Sequence, residues 1–271
     1  MKKIIKDALT ELSNFKKPSV PFILNELLED NILGSKIHGT PYWEKNGIIP
    51  LDNKSKPMAL MAQINLSKMP QLPHFPKEGI LQFFLSLEDT YGMNFNKAID
   101  HKYNKVIYWP NPDMEKYSTY PEINIEDSPA NIPLSIESDD IKMESCGIAD
   151  QYYYDQFLEN TLIPKFPTLN TDELFDAICE EDTDDLLGDN SGSKMGGFAY
   201  FTQDDPRNSN ELNKAWSLKE EDKEEIIVLL QLDSDHDEMM WGDCGVANWH
   251  ILKEDLLKLD FSKVFYTWDC C

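Results

Sequence analysis

Ser35-Lys36-Ile37-His38-Gly39-Thr40-Pro41-Tyr42 and Ser193-Lys194-Met195-Gly196-Gly197-Phe198-Ala199-Tyr200 agree at serine, lysine, glycine and tyrosine. The agreement continues in order along the chain. Ala62-Gln63-Ile64-Asn65 answers Leu230-Gln231-Leu232-Asp233, and Gly79-Ile80-Leu81-Gln82-Phe83 answers Gly245-Val246-Ala247-Asn248-Trp249. The offset stays nearly constant, at 158 residues from 35 to 193, 168 from 63 to 231 and 166 from 79 to 245. Self-similarity at a fixed period marks a repeated structural unit. Here the unit is a glycine turn, a strand with a polar end, a proline-rich or acidic turn and a glycine-led strand, over about 35–110 and again about 193–268. Chance similarity is the alternative. Duplication predicts two similar antiparallel sheets related by a pseudo-twofold axis.

Outward from these blocks the chain alternates strand patterns with few helices. Apolar runs over 57–66 and 79–87, and shorter ones over 105–109, 224–232 and 263–268, predict strands, with Pro70 and Pro73 closing the first and Pro110 the third. Ile4, Ile5, Ala8, Leu9 and Leu12 recur at helical spacing; Pro18 and Pro21 interrupt, and Ile23, Leu24, Leu27 and Leu28 resume before Gly34. This predicts a helical lead-in of two pieces over 1–34, followed by a single α+β domain over 35–271. A helix is expected over 170–187, capped by Asn170 or Thr171, with Leu174, Phe175 and Ile178 as its buried stripe and the acidic run Glu180–Asp185 at its end. Another, short helix is expected over 253–259. Residues 111–145 read as a long connection with short strands such as 132–136. Strands without regular βαβ spacing point to an α+β fold of mostly antiparallel sheets.

Gly39-Thr40-Pro41, the blocks 61–66 and 79–84, Trp241-Gly242-Asp243-Cys244-Gly245 and Trp268-Asp269-Cys270 together resemble the YwqG-like bacterial family over most of residues 30–271. Family members often carry Gly-Gly-x-Pro where this chain has His38-Gly39-Thr40-Pro41. The resemblance implies an α+β fold and a cytosolic bacterial setting. It implies no established activity, so no catalytic residue is carried over.

Composition narrows the function classes. With 41% hydrophobic and 11% aromatic residues the chain has the material for a folded core. Its formal charge is −24, from 49 acidic and 25 basic side chains, and Arg207 is the one arginine among lysines. A field of this sign repels phosphate, so neither nucleic acid nor an anionic membrane is an expected partner. Charged residues interrupt the N-terminal segment before any leader-length apolar run, and no stretch reaches membrane-spanning length, which predicts a cytoplasmic protein. Five irregularly spaced cysteines agree with reduced thiols.

Candidate chemistry lies mainly in polar residues on apolar strands and in an acidic turn. Gln63, Asn65, Gln82, Gln231 and Asp233 interrupt their strands, and buried groups of this kind must either brace neighbouring backbone or line a cavity. A shared cleft between the repeats is the site this placement suggests. Asp233, Asp235 and Asp237 alternate along 233–238 and offer oxygens to a divalent cation, the one cofactor the sequence suggests. Glu238 and Cys244 stand where a helix-loop-helix calcium site needs glycine and glutamate, so the site would be irregular; an ordinary acidic turn is the alternative. Trp241 and Asp243 suggest a pocket rim for stacking and hydrogen bonding, or a hairpin tied to its own backbone. The scattered histidines form no zinc signature, and no nucleophile elbow, phosphate loop or dinucleotide fingerprint is present. These features favour a non-catalytic binding protein for a basic protein partner, for example an immunity protein against a cationic toxin. A metal-dependent hydrolase or small-ligand protein using residues 233–243 is the alternative.

Overall fold

A computed structural model describes residues 2–179, 187–218, 225–234 and 238–271, and structural statements below refer to these. The acidic run 180–185 and the candidate cation ligands Asp235 and Asp237 lie outside them.

Helix α1 (Lys3–Asn14) buries Ile5, Ala8, Leu9 and Leu12, the stripe its spacing predicts. The second helical piece expected before Gly34 is instead extended: β1 (Lys16–Pro21) and β2 (Ile23–Glu26) occupy it. Pro18 and Pro21 account for the difference. Proline fixes φ, lacks an N–H and drives the residue before it into the extended region, which outweighs the helical spacing of four apolar residues.

The remaining strands are β3 (Lys36–Ile37), β4 (Ala59–Asn65), β5 (Ile80–Leu85), β6 (Asn104–Trp109), β7 (Leu134–Glu137), β8 (Lys142–Ser145), β9 (Lys194–Gly196), β10 (Ile226–Asp233), β11 (Val246–Leu252) and β12 (Phe265–Asp269). Helix α2 (Gln151–Phe157) runs through a π-helical turn, Leu158–Leu162, into α3 (Ile163–Lys165). Asp150 caps α2 by accepting the Tyr153 N–H, and Tyr152, Tyr153 and Tyr154 are all buried, a run without the helical spacing that would announce it. Three further helices follow, α4 (Thr171–Cys179), α5 (Asn210–Ala215) and α6 (Lys253–Leu257). Asn170 caps α4 through the Asp172 and Glu173 N–H groups. Its buried face is Leu174, Ala177 and Ile178, while the expected Phe175 is exposed.

Two six-stranded antiparallel sheets result, in the orders β12-β11-β10-β9-β1-β8 and β6-β5-β4-β3-β7-β2. The second order follows the first position by position, with consecutive β1 and β2 divided between the sheets and β7 and β8 divided the opposite way. The inner faces share one core, in which the Phe83 and Trp249 rings meet at 5.4 Å. Helices α1, α2, α4 and α5 cover the outer face of the first sheet, whereas Trp43 and Tyr120 from long connections cover Leu60 and Phe84 on the outer face of the second. Strands β4, β5, β10 and β11 are therefore buried on both faces, which is why they read as unbroken apolar runs. No described helix is long and apolar enough to cross a membrane.

Candidate functional site

The candidate polar residues on the central strands bond mainly to backbone. Gln63 Oε1 accepts the Tyr42 N–H at 2.8 Å, and its amide donates to Ile32 O and Gly34 O, both at 2.8 Å. Gln231 Oε1 accepts the Tyr200 N–H at 2.8 Å, and its amide donates to Asn190 O at 3.0 Å and Gly192 O at 2.8 Å. Gln82 donates to Tyr42 O and Asn248 to Tyr200 O. Ser35 Oγ accepts the Asn65 N–H as Ser193 Oγ accepts that of Asp233. Even the irregularities correspond, with a bulge between Leu60 and Ala62 in β4 and one between Val228 and Leu230 in β10. Gly39 and Gly197 share φ near +70°, a conformation that suits glycine and turns the chain back over each sheet. Gln63, Gln82 and Gln231 are fully buried, Asn65 nearly so, and each holds a crossing segment in place.

Around 233–243 the structure separates the candidate residues. Asp233 accepts from the Gly192 N–H at 2.6 Å and the Ser234 N–H at 2.9 Å, and burial raises its carboxyl above the usual range. Trp241 is fully buried against Tyr91, Trp249 and Trp268, so its indole lies in the shared core and not on a rim open to ligand. Asp243 is exposed, and its carbonyl accepts the Cys271 N–H. Gly242 and Cys244 both take positive φ in this turn. Among the described residues no three of His, Cys, Asp and Glu are grouped to hold a metal ion.

Two of the open features that flank this frame have linings that combine charge with apolar surface. One is a groove of about 750 Å³ at the seam of the two sheets, where Glu88, Asp89, Glu126 and Asp127 face a single lysine, Lys54, and the turn at Met240 and Gly242 forms the far wall. Lys54 Nζ lies 3.7 Å from Glu88 Oε2. Loop 87–91 is fixed from the opposite sheet, since the Tyr266 hydroxyl donates to Tyr91 O and the Trp268 indole to Thr90 O, each at 2.7 Å. The other is a cavity of about 330 Å³ between β1 and β10, lined by Lys16, Lys17, His74 and Glu225 among mostly apolar residues. Burial pushes the Lys17 ammonium down to about 8, while the Tyr153 ring 3.0 Å beneath it favours the charged form.

Sequence reasoning missed the buried ionic cluster behind this cavity. Arg207, fully buried, donates from Nη2 to Asp150 Oδ1 and Asp205 Oδ2, both at 2.6 Å. Asp150 also accepts the Ala199 N–H and Asp205 the Tyr152 N–H, so the cluster ties α2 to the segment after β9. Burial alone would favour neutral groups. The two carboxylates outweigh it and hold the guanidinium protonated, as the guanidinium holds Asp205 below the usual carboxylate range. The available signal was a lone arginine in a lysine-rich chain, because only a guanidinium fork meets two buried carboxylates at once.

This architecture, an α+β pair of antiparallel sheets braced by buried amides, defines the class. Residues 35–270 match the family model described as a domain of unknown function (DUF1963), and the chain belongs to that family. No curated protein matches it.

Proposed function

We propose that this chain is a non-catalytic binding protein, immunity-like in role, whose acidic surface engages a basic protein partner, with the seam groove as the contact. The observation that carries this is the charge of −24, joined to four acidic residues and one lysine lining a single groove. Such a field steers a cationic partner toward its docking face and sets the rate of encounter. One groove wall, loop 87–91, is fixed by two bonds from the opposite sheet, which limits the ordering cost of docking. The YwqG-like relationship, a bacterial cytoplasmic setting and an internal duplication belong to the same reading, the last supported by the paired amide bonds.

Titration with a lysine- and arginine-rich peptide at increasing salt tests it. Affinity is expected to fall steeply above 0.1 M salt, where exposed charges are screened beyond about 10 Å. The combined variant Glu88→Lys, Asp89→Lys, Glu126→Lys, Asp127→Lys is expected to weaken binding by at least about tenfold while the melting temperature stays close to wild type. Salt-insensitive binding, or undiminished binding by that variant, would reject the groove as the contact.

A further inference from the structure

Strand β9 stops at Gly196 while its neighbours run on. It pairs with β1 over Ser19–Pro21, extended by the Gly197 N–H donating to Pro18 O at 2.9 Å, and with β10 only at Gln231, so Lys16 and Lys17 face Ile226–Val228 across the gap beyond. Strands two places apart in a sheet stand roughly 9–10 Å from each other, which leaves the thickness of one flat group between them. This gap is the 330 Å³ cavity, at the lower end of the range for small-molecule sites. In the other sheet the residue corresponding to Gly196 is His38, whose ring has Nδ1 2.6 Å from Leu60 O and Nε2 2.6 Å from Ser128 Oγ and forms one wall of a separate cavity of about 430 Å³. Glycine sends no side chain across, and Val228, the counterpart of Leu60, lines the cavity.

Charge fixes what the cavity would accept. The half-buried Lys17 ammonium rests on Tyr153 and lies 5.2 Å from the Phe198 ring centroid. The carboxylates whose fields reach it already have cations: Asp150 has Arg207 at 2.6 Å and Glu225 has Lys253 at 3.0 Å. Among the described residues Lys17 forms no ion pair of its own. A partly desolvated cation gains most from a charge-assisted bond to an anion, and the apolar walls suit a single charge better than a doubly charged phosphate.

We propose that the cavity between β1 and β10 binds a small monocarboxylate with a flat apolar body, its carboxylate paired with Lys17 and its body between the two strands. The site lies on the first sheet, apart from the acidic groove, and stands whether or not a basic partner docks there.

Benzoate and its neutral isostere benzamide serve as probes, each titrated into the full chain by calorimetry and by methyl NMR. Benzoate is expected to shift the Leu72, Ile227 and Val228 methyl signals and to bind about tenfold more tightly than benzamide, the scale of one charge-assisted hydrogen bond. Lys17→Met is expected to abolish that difference, and Lys16→Met, at an exposed position on the same wall, to leave it. The wild-type comparison decides the matter even where Lys17→Met fails to fold. Equal affinities, no saturable benzoate binding, shifts centred elsewhere, or a difference removed by Lys16→Met would each overturn the proposal.

Discussion

Arg207 Nη2 and Asp150 Oδ1 lie 2.6 Å apart with both side chains sealed from solvent. Removing one partner of a buried pair leaves the other as an uncompensated charge, at a cost of about 3–5 kcal/mol. Arg207→Met is therefore expected to lower the free energy of unfolding by that amount, measured by urea denaturation. Arg207→Lys keeps the charge and loses the fork, so an intermediate loss is expected. A loss below about 1 kcal/mol for Arg207→Met would show that Asp150 and Asp205 take up protons or water at little cost.

The paired glutamines make a prediction about symmetry of effect. Gln63→Leu strands the Tyr42 N–H and two carbonyls, and Gln231→Leu strands the Tyr200 N–H and two carbonyls. Each substitution is expected to cost about 1–3 kcal/mol, with faster hydrogen exchange at Tyr42 or Tyr200 respectively. A marked cost at one site and none at the other would mean that the matching bonds do unequal structural work.

His38 sets a pH dependence. Burial pushes its imidazole from 6.5 down to about 4, against the smaller opposing effect of its bonds to Leu60 and Ala130. Between those values the unfolded chain binds a proton that the native chain does not, so stability is full above 6.5 and declines as pH falls toward 4. Relative to His38→Gln, the wild type is expected to lose up to about 3 kcal/mol across this window. Parallel stability curves for the two proteins would contradict a neutral buried His38. His250, also fully buried and shifted the same way, adds to the slope in both proteins and cancels in the comparison.

The sheets were legible because strands buried on both faces leave apolar runs that no loop resembles, and the bracing glutamines were legible because a polar side chain inside such a run must be bonded. What hid was set by partners distant in sequence. Pro18 and Pro21 lie in a strand whose neighbours, β8 and β9, come more than a hundred residues later. Trp241 stands in a turn with the composition of a pocket rim, yet its burial follows from Tyr91 and Trp268 packing on it. Lys17 carried no motif at all; its setting arises where a strand ends early.

The division of β1 and β2 between the sheets, mirrored by β7 and β8, has a consequence during synthesis. Strand β1 acquires its second neighbour only once Lys194–Gly196 has left the ribosome, and β3 lacks β7 until residue 134. A fragment ending at 110 would carry one strand of a sheet it cannot build and would miss a central strand of the sheet it can. Neither half is a self-sufficient folding unit, so the nascent N-terminal segment exposes unpaired strand edges until late in translation and depends on rapid completion or on chaperone cover.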